Sequence, residues 1–169
     1  TAEIIGKVSN TKSIGVLGTR GTVRSESYLI EINKFFPDVE VYQQSCPMWV
    51  PLIENGEYES EGADYFVKQY LDALFQQSAN VDTVLLACTH YPLLVPKIKK
   101  YIPSNTKVVS QGDIVADSLA DYFDRHPEMK AQLGKNSERT FYTTGDTDTF
   151  DAHASVFLGA PLASKPMKR

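Results

Sequence analysis

The chain has 169 residues, 42% hydrophobic and 22% charged, enough to bury a core in one domain or one domain with part of another. Its net charge of −4 argues against nucleic-acid binding, and its one basic cluster, Lys97, Lys99 and Lys100 with Lys107 nearby, reads as a solvated helix face. No apolar run reaches membrane-spanning length, "TAEIIGKVSN" does not read as a signal peptide, and two cysteines make no disulfide framework, so a cytoplasmic protein away from membranes is expected.

Residues 1–12 read as a lead-in, with Ile4, Ile5 and Val8 set among polar residues. The absence of Met at its start fits either a processed start or a piece of something longer. "SIGVLGT" (13–19) predicts a buried strand ending in glycine. "TVRSESYLIEINKFF" (22–36) has apolar residues near helical spacing, stopped by Pro37 and Asp38. "VEVYQQ" (39–44) predicts a second strand, and "SCPMWVPLIENGEYES" (45–60) a loop with one helical turn. "EGADYFVKQYLDALFQQ" (61–77) is an amphipathic helix, and "VDTVLLAC" (81–88) the most apolar strand. A helix follows over 91–102, with Pro92 in its first turn and Pro96 distorting it further on. The alternation continues with a strand at 106–111, a helix at 113–126, a polar connector at 127–138, a strand at 139–146 and a helix at 147–159. Residues 163–169 read as a loose tail.

Strand–helix alternation predicts an α/β fold, a mostly parallel sheet with helices on both faces. Such sheets bind ligands beyond the carboxyl ends of their strands. The residues there are Thr19, Gly21 and Thr22; Gln43, Gln44, Ser45 and Cys46; Cys88, Thr89 and His90; Ser110, Gln111 and Gly112; and Thr143, Thr144 and Gly145. That rim of hydroxyls, amides, thiols and an imidazole suits a small polar ligand carrying a carboxylate.

Cys88 ends an apolar strand just before a helix start, where the positive end of the helix favours a thiolate. His90 is placed to orient it or exchange protons with it; the plainer alternative is a core cysteine at a strand end. Cys46, in a proline-flanked loop, reads as structural. The histidines have no metal-ligand spacing with the cysteines, so no metal site is expected. "GVLGTRGTV" (15–23) spaces its glycines as GxxGxxG rather than GxGxxG, and Gln43 and Gln44 stand where a dinucleotide site wants an acid. Thr19 and Thr22 either offer donors to an anion at a helix start or only cap that helix, and both roles can coexist. Glu54 and Glu57, in an apolar loop near the rim, could bias a histidine, or could be ordinary solvated acids.

"LACTHYPLL" resembles the second cysteine motif of the glutamate racemases, within the aspartate/glutamate racemase superfamily. "GTRGTV", "CPMWVPLIENGE" and "FYTTGD" resemble further blocks of that family in the same order, from about residue 13 to about residue 159. The resemblance implies a cofactor-independent isomerase that interconverts L- and D-glutamate for peptidoglycan, with two thiols facing each other across the substrate α-carbon. It makes Cys88 one of the pair, has His90 assist it, makes Glu54 the acid that tunes that side, and gives Thr89, Thr19 and Thr22 to substrate binding. It implies glutamate as the partner, no cofactor, and a homodimer in many members.

The family's first half-site, an Asp-Ser pair and a Cys-Asn-Thr block, has no counterpart here. The resemblance therefore implies a fragment inactive by itself. Residues 13–112 would be one complete lobe, and residues 113–162 a portion returning to a missing first lobe. The alternatives are a free-standing α/β domain that binds a small anion without chemistry, and a relative acting on aspartate. A further one is a hydrolase or acyl transferase with Cys88 as nucleophile, for which the sequence offers no separate third residue to orient His90.

Overall fold

The computed structural model describes residues 1–167; the last two positions of the expected tail lie outside the described residues. The chain forms two compact units, one spanning Thr1–Ala120 and a second beginning at Asp121. In chain order the first unit contains α1 (Ala2–Val8), β1 (Ser13–Gly18), α2 (Arg20–Ser25), α3 (Ser27–Phe35), β2 (Glu40–Ser45), α4 (Trp49–Glu54), α5 (Glu61–Gln77) and β3 (Thr83–Leu86). A 3₁₀ turn (Tyr91–Leu94), α6 (Val95–Tyr101), β4 (Lys107–Ser110) and most of α7 (Gln111–Arg125) follow.

The four strands lie parallel in the order β2-β1-β3-β4, so the first strand sits inside the sheet. Parallel strands covered on both faces are apolar on both, and alternation along the backbone sorts their side chains. Leu17, Val84 and Leu86 join Trp49, Val67, Leu71, Leu74, Leu94 and Ile98 of α4, α5, the 3₁₀ turn and α6. Ile14, Val16, Leu85 and Ala87 join Ile5 of α1 and Ile32 of α3 on the other face. Gly15 belongs to the first face: a Cβ there would come within 2.6 Å of Leu74, so α5 packs directly on the strand backbone.

Several elements differ from the sequence reading, each for a local reason. The lead-in forms α1, because Ile5 is fully buried against the sheet. The helix expected over 22–36 is two helices, broken where Glu26 adopts a left-handed backbone (φ 52°) and its N–H closes the first on Val23. Pro96 does not distort a continuing helix: the 3₁₀ turn ends at Leu94, and Pro96 lies in the first turn of α6, where its missing N–H costs no bond. α5 matches its expected bounds and is capped by the Ser60 hydroxyl, which accepts from the Ala63 N–H at 3.2 Å.

The second unit holds α8 (Pro127–Lys130), β5 (Phe141–Thr143), α9 (Thr147–Leu158) and β6 (Ser164–Pro166). α9 is capped at both ends. Asp146 accepts from the Thr149 N–H at 2.8 Å, and Gly159 takes the left-handed conformation at the other end. The expected loose tail is not loose over 164–166. It pairs in parallel with β5, with the Ser164 N–H on both oxygens of Asp151 (2.9 and 3.1 Å) and the Met167 N–H on the Thr143 carbonyl (2.8 Å). Among the described residues no helix is long and apolar enough to cross a membrane.

Candidate functional site

The carboxyl ends of β1, β2, β3 and β4 lie along one edge of the sheet, so Thr19, Cys46, Cys88 and Gln111 emerge there. β3 stops at Leu86, and after it the Ala87 N–H still bonds the Leu17 carbonyl at 2.8 Å. That last bond holds the chain against β1 until the turn that carries Cys88, Thr89 and His90. The turn tightens when the Tyr91 N–H bonds the Cys88 carbonyl at 3.3 Å, and Tyr91 anchors it as a fully buried ring. Tyr91 packs edge-on against Trp49 at a centroid distance of 4.8 Å, and its hydroxyl donates to the Cys46 carbonyl at 3.3 Å. The loops after β2 and β3 are thereby pinned together.

Cys88, His90 and Glu54 form one line. Cys88 Sγ lies 3.9 Å from His90 Nδ1, and His90 Nε2 lies 3.2 Å from Glu54 Oε1. A carboxylate can only accept, so the contact places the proton of a neutral His90 on Nε2 and leaves the Nδ1 lone pair facing the thiol. Glu54 reaches this position as the last residue of α4, whose Trp49 and Ile53 are buried in the core beneath it. Glu54, which residue spacing alone left as one of two loop acids, lies within reach of His90 and can orient its ring. The carboxylate is half exposed (50%) and the imidazole 28% exposed, so the pair orients the ring more than it binds charge.

Cys46 stands apart from this line. It is 1% exposed, and its thiol points at the Gln44 carbonyl at 3.6 Å. Burial pushes that thiol well above its ordinary range, and nearby Cys88 adds to the shift. This agrees with its reading as structural.

Thr19 caps α2: its hydroxyl accepts from the Thr22 N–H at 3.2 Å and lies 3.0 Å from the Thr22 hydroxyl. Thr22 packs close to the end of β1 beside β3, since a Cβ on Gly18 would meet Thr22 Cγ2 at 3.0 Å and Ala87 Cβ at 3.7 Å. Thr89 is exposed and, with Cys88, Pro92, Gln111, Gly112 and Val115, lines a largely apolar cavity of about 360 Å³. The sequence reading assigned no role to Pro92, Gln111 or Val115. Gln111 was visible on the rim as the first residue after β4; its amide donates to the Leu86 carbonyl at 3.2 Å and closes one wall of the cavity.

No family model matches the chain. It is 36% identical over 154 residues to glutamate racemase 2 of Caldanaerobacter subterraneus subsp. tengcongensis, covering 91% of this chain and 57% of that protein. It is 40% identical over 158 residues to the glutamate racemase of Enterococcus faecalis, covering 90% of this chain and 55% of that protein. Among solved structures it matches a glutamate racemase isoform of Bacillus anthracis (TM-score 0.85, 29% identity), covering 99% of this chain and 61% of that one. A Francisella tularensis glutamate racemase crystallised with D-glutamate matches with a TM-score of 0.84 and 27% identity, over 99% and 61% of the two chains. The resemblance carried by the four motifs thus extends over nearly the whole chain, in sequence and in fold. The chain spans a little over half the length of the curated relatives it matches.

Proposed function

We propose that this chain contributes one of the two acid/base thiols of a glutamate racemase, with Cys88 as that thiol. The observation that carries the reading is the Cys88–His90–Glu54 line at the ligand-binding edge of the sheet, in a chain so similar to glutamate racemases. In the reaction, the Cys88 thiolate takes the α-proton of one glutamate enantiomer, and a second thiol on the opposite face delivers a proton to the α-carbon. One C–H bond breaks and one forms, with no net redox change. In the reverse direction Cys88 is the donor. His90 carries the thiol's proton to and from Nδ1, and Glu54 holds the ring for that exchange. Thr89, Thr19 and Thr22 take the substrate's carboxylates with hydroxyls and backbone N–H groups. Cys46 is too buried to act as the opposed base, so the second thiol comes from outside these residues. D-Glutamate for peptidoglycan, made in the cytoplasm, is the expected product, with a homodimer as the expected assembly.

The test is racemisation by protein expressed from the complete coding sequence. Wild type should interconvert the glutamate enantiomers and exchange the α-proton in D2O, while Cys88→Ser should lose both. A Cys88→Ser enzyme that racemises at the wild-type rate refutes the assignment. The 169-residue chain alone should give no exchange at enzymatic rates. Glu54→Gln should lower kcat by about tenfold with little change in KM, because it loosens a proton carrier and not a binding group.

A further inference from the structure

Two features meet at Cys88 that α-proton transfer does not require together. On one side the thiol has an imidazole whose far nitrogen is held by a carboxylate, the order of groups that activates a thiol as a nucleophile. On the other side lies the cavity of about 360 Å³, where Pro92, Gly112 and Val115 stand with Thr89 and Gln111 and the exposed surface is mostly apolar. Thr89 suits a carboxylate, but the apolar wall is more than a small dicarboxylate needs and fits an acyl chain. We propose that Cys88 is also an acyl acceptor: with activated esters of short fatty acids it forms an S-acyl adduct whose alkyl chain lies in this cavity.

The step balances. Cys88 Sγ attacks the ester carbonyl carbon while His90 Nδ1 takes the thiol proton. The S–C bond forms, the bond between the acyl carbon and the aryloxy oxygen breaks, p-nitrophenolate departs, and His90 releases its proton to water. Water then attacks the thioester, His90 again taking a proton, and the carboxylic acid leaves as Sγ regains its hydrogen. No oxidant, metal or cofactor enters. Restriction to activated esters follows from the half-exposed relay, which helps proton transfer but leaves the leaving group to depart largely on its own. The inference needs only the geometry of the first unit, so it can fail without touching the racemase reading, and the converse also holds.

The test uses the 169-residue chain with p-nitrophenyl acetate and p-nitrophenyl butyrate, reading p-nitrophenolate release and the mass of the intact protein and its peptides. Expected is a stoichiometric burst with one butyryl group on Cys88 and none on Cys46. Butyrate should be favoured over acetate by up to about fifteenfold, the value of burying two further methylenes. A free thiol in solution shows no such preference. Cys88→Ser should abolish the burst, Val115→Glu should remove the butyrate preference, and Glu54→Gln should slow acylation and shift its pH profile. Acetate equal to or faster than butyrate, acylation of both cysteines at similar rates, or a Glu54→Gln profile identical to wild type overturns the proposal.

Discussion

Asp82 offers the sharpest test of the fold that carries the site. It is 6% exposed at the amino end of β3, away from Cys88. Its Oδ1 accepts from the Ser9 hydroxyl at 2.6 Å and the Thr83 hydroxyl at 3.0 Å, and its Oδ2 from the Asn10 N–H at 2.7 Å and the Thr11 N–H at 3.0 Å. The carboxylate thus ties the chain leaving α1 to the start of a central strand. Burial pushes its pKa up, but these four donors outweigh burial and hold it at about 2, against an ordinary 3.8. A folded-state pKa below the unfolded one stabilises the fold above the unfolded value and is lost as pH falls through the folded one. The shift corresponds to about 2 kcal/mol at neutral pH and about half of that at pH 3. Asp82→Asn keeps the shape and removes the charge. Urea unfolding followed by Trp49, the single tryptophan and fully buried, should show a midpoint lower by about 1 M at pH 7. The gap to wild type should narrow to about half at pH 3 and nearly close at pH 2. An unchanged midpoint at pH 7, or a gap that stays constant from pH 7 to pH 2, refutes the assignment.

Three further outcomes are expected. Gly6→Ala should destabilise the first unit by about 1–2 kcal/mol in the same urea assay despite alanine's better helix propensity, because its Cβ would fall 2.3 Å from Phe36 Cγ where α1 crosses α3. Thr19→Ala should cost about 1 kcal/mol of stability through the lost cap on Thr22; on the proposed function, protein from the complete coding sequence should also show a raised KM for glutamate, and an unchanged KM would reduce Thr19 to a cap alone. Iodoacetamide at neutral pH should modify Cys88 at least about tenfold faster than Cys46, by peptide mass spectrometry, since burial keeps the latter a thiol and out of reach; equal rates would contradict the closed environment of Cys46.

The layered fold was legible because the strands of this sheet are apolar on both faces and the helices between them follow plain periodicity. α5 was read to the residue because Ser60 and Ser78 bracket one amphipathic run. What the sequence hid was set by tertiary contacts. Nothing in "TAEIIGKVSN" marks a helix strongly, yet Ile5 finds the sheet and α1 forms. The strand at 164–166 exists because β5 offers it an edge, a partner that no local pattern reveals. At the site, the motif resemblance named Cys88, His90 and Glu54, but residue spacing alone left Glu54 a loop acid. Only the packing of Trp49 and Ile53 beneath α4 aims its carboxylate at the imidazole.

On the proposed racemase reading, the contrast between the two thiols is the physical reason the chemistry is divided. Racemisation without a cofactor needs one group that can receive a proton and another, across the substrate, that can give one, and both must exchange roles when the reaction reverses. A thiol serves only if its charged form is tolerable, which requires access to polar groups. Cys88 has them in His90 and, one atom chain further on, Glu54. Cys46 is closed in by burial, its thiol faces the Gln44 carbonyl, and the backbone hydrogen bond from Gly18 that favours its thiolate does not offset that burial; it lies on the same edge of the same sheet. Making Cys46 more acidic would not repair this, because a base beside Cys88 attacks from the same side and returns the proton to the face it left. Retention of configuration would follow, with exchange but no inversion. On that reading the opposed group stands across the substrate from this sheet edge. The turn that carries Cys88, beyond the last strand bond and pinned by the buried Tyr91, gives the proposed thiol a fixed place from which to face it.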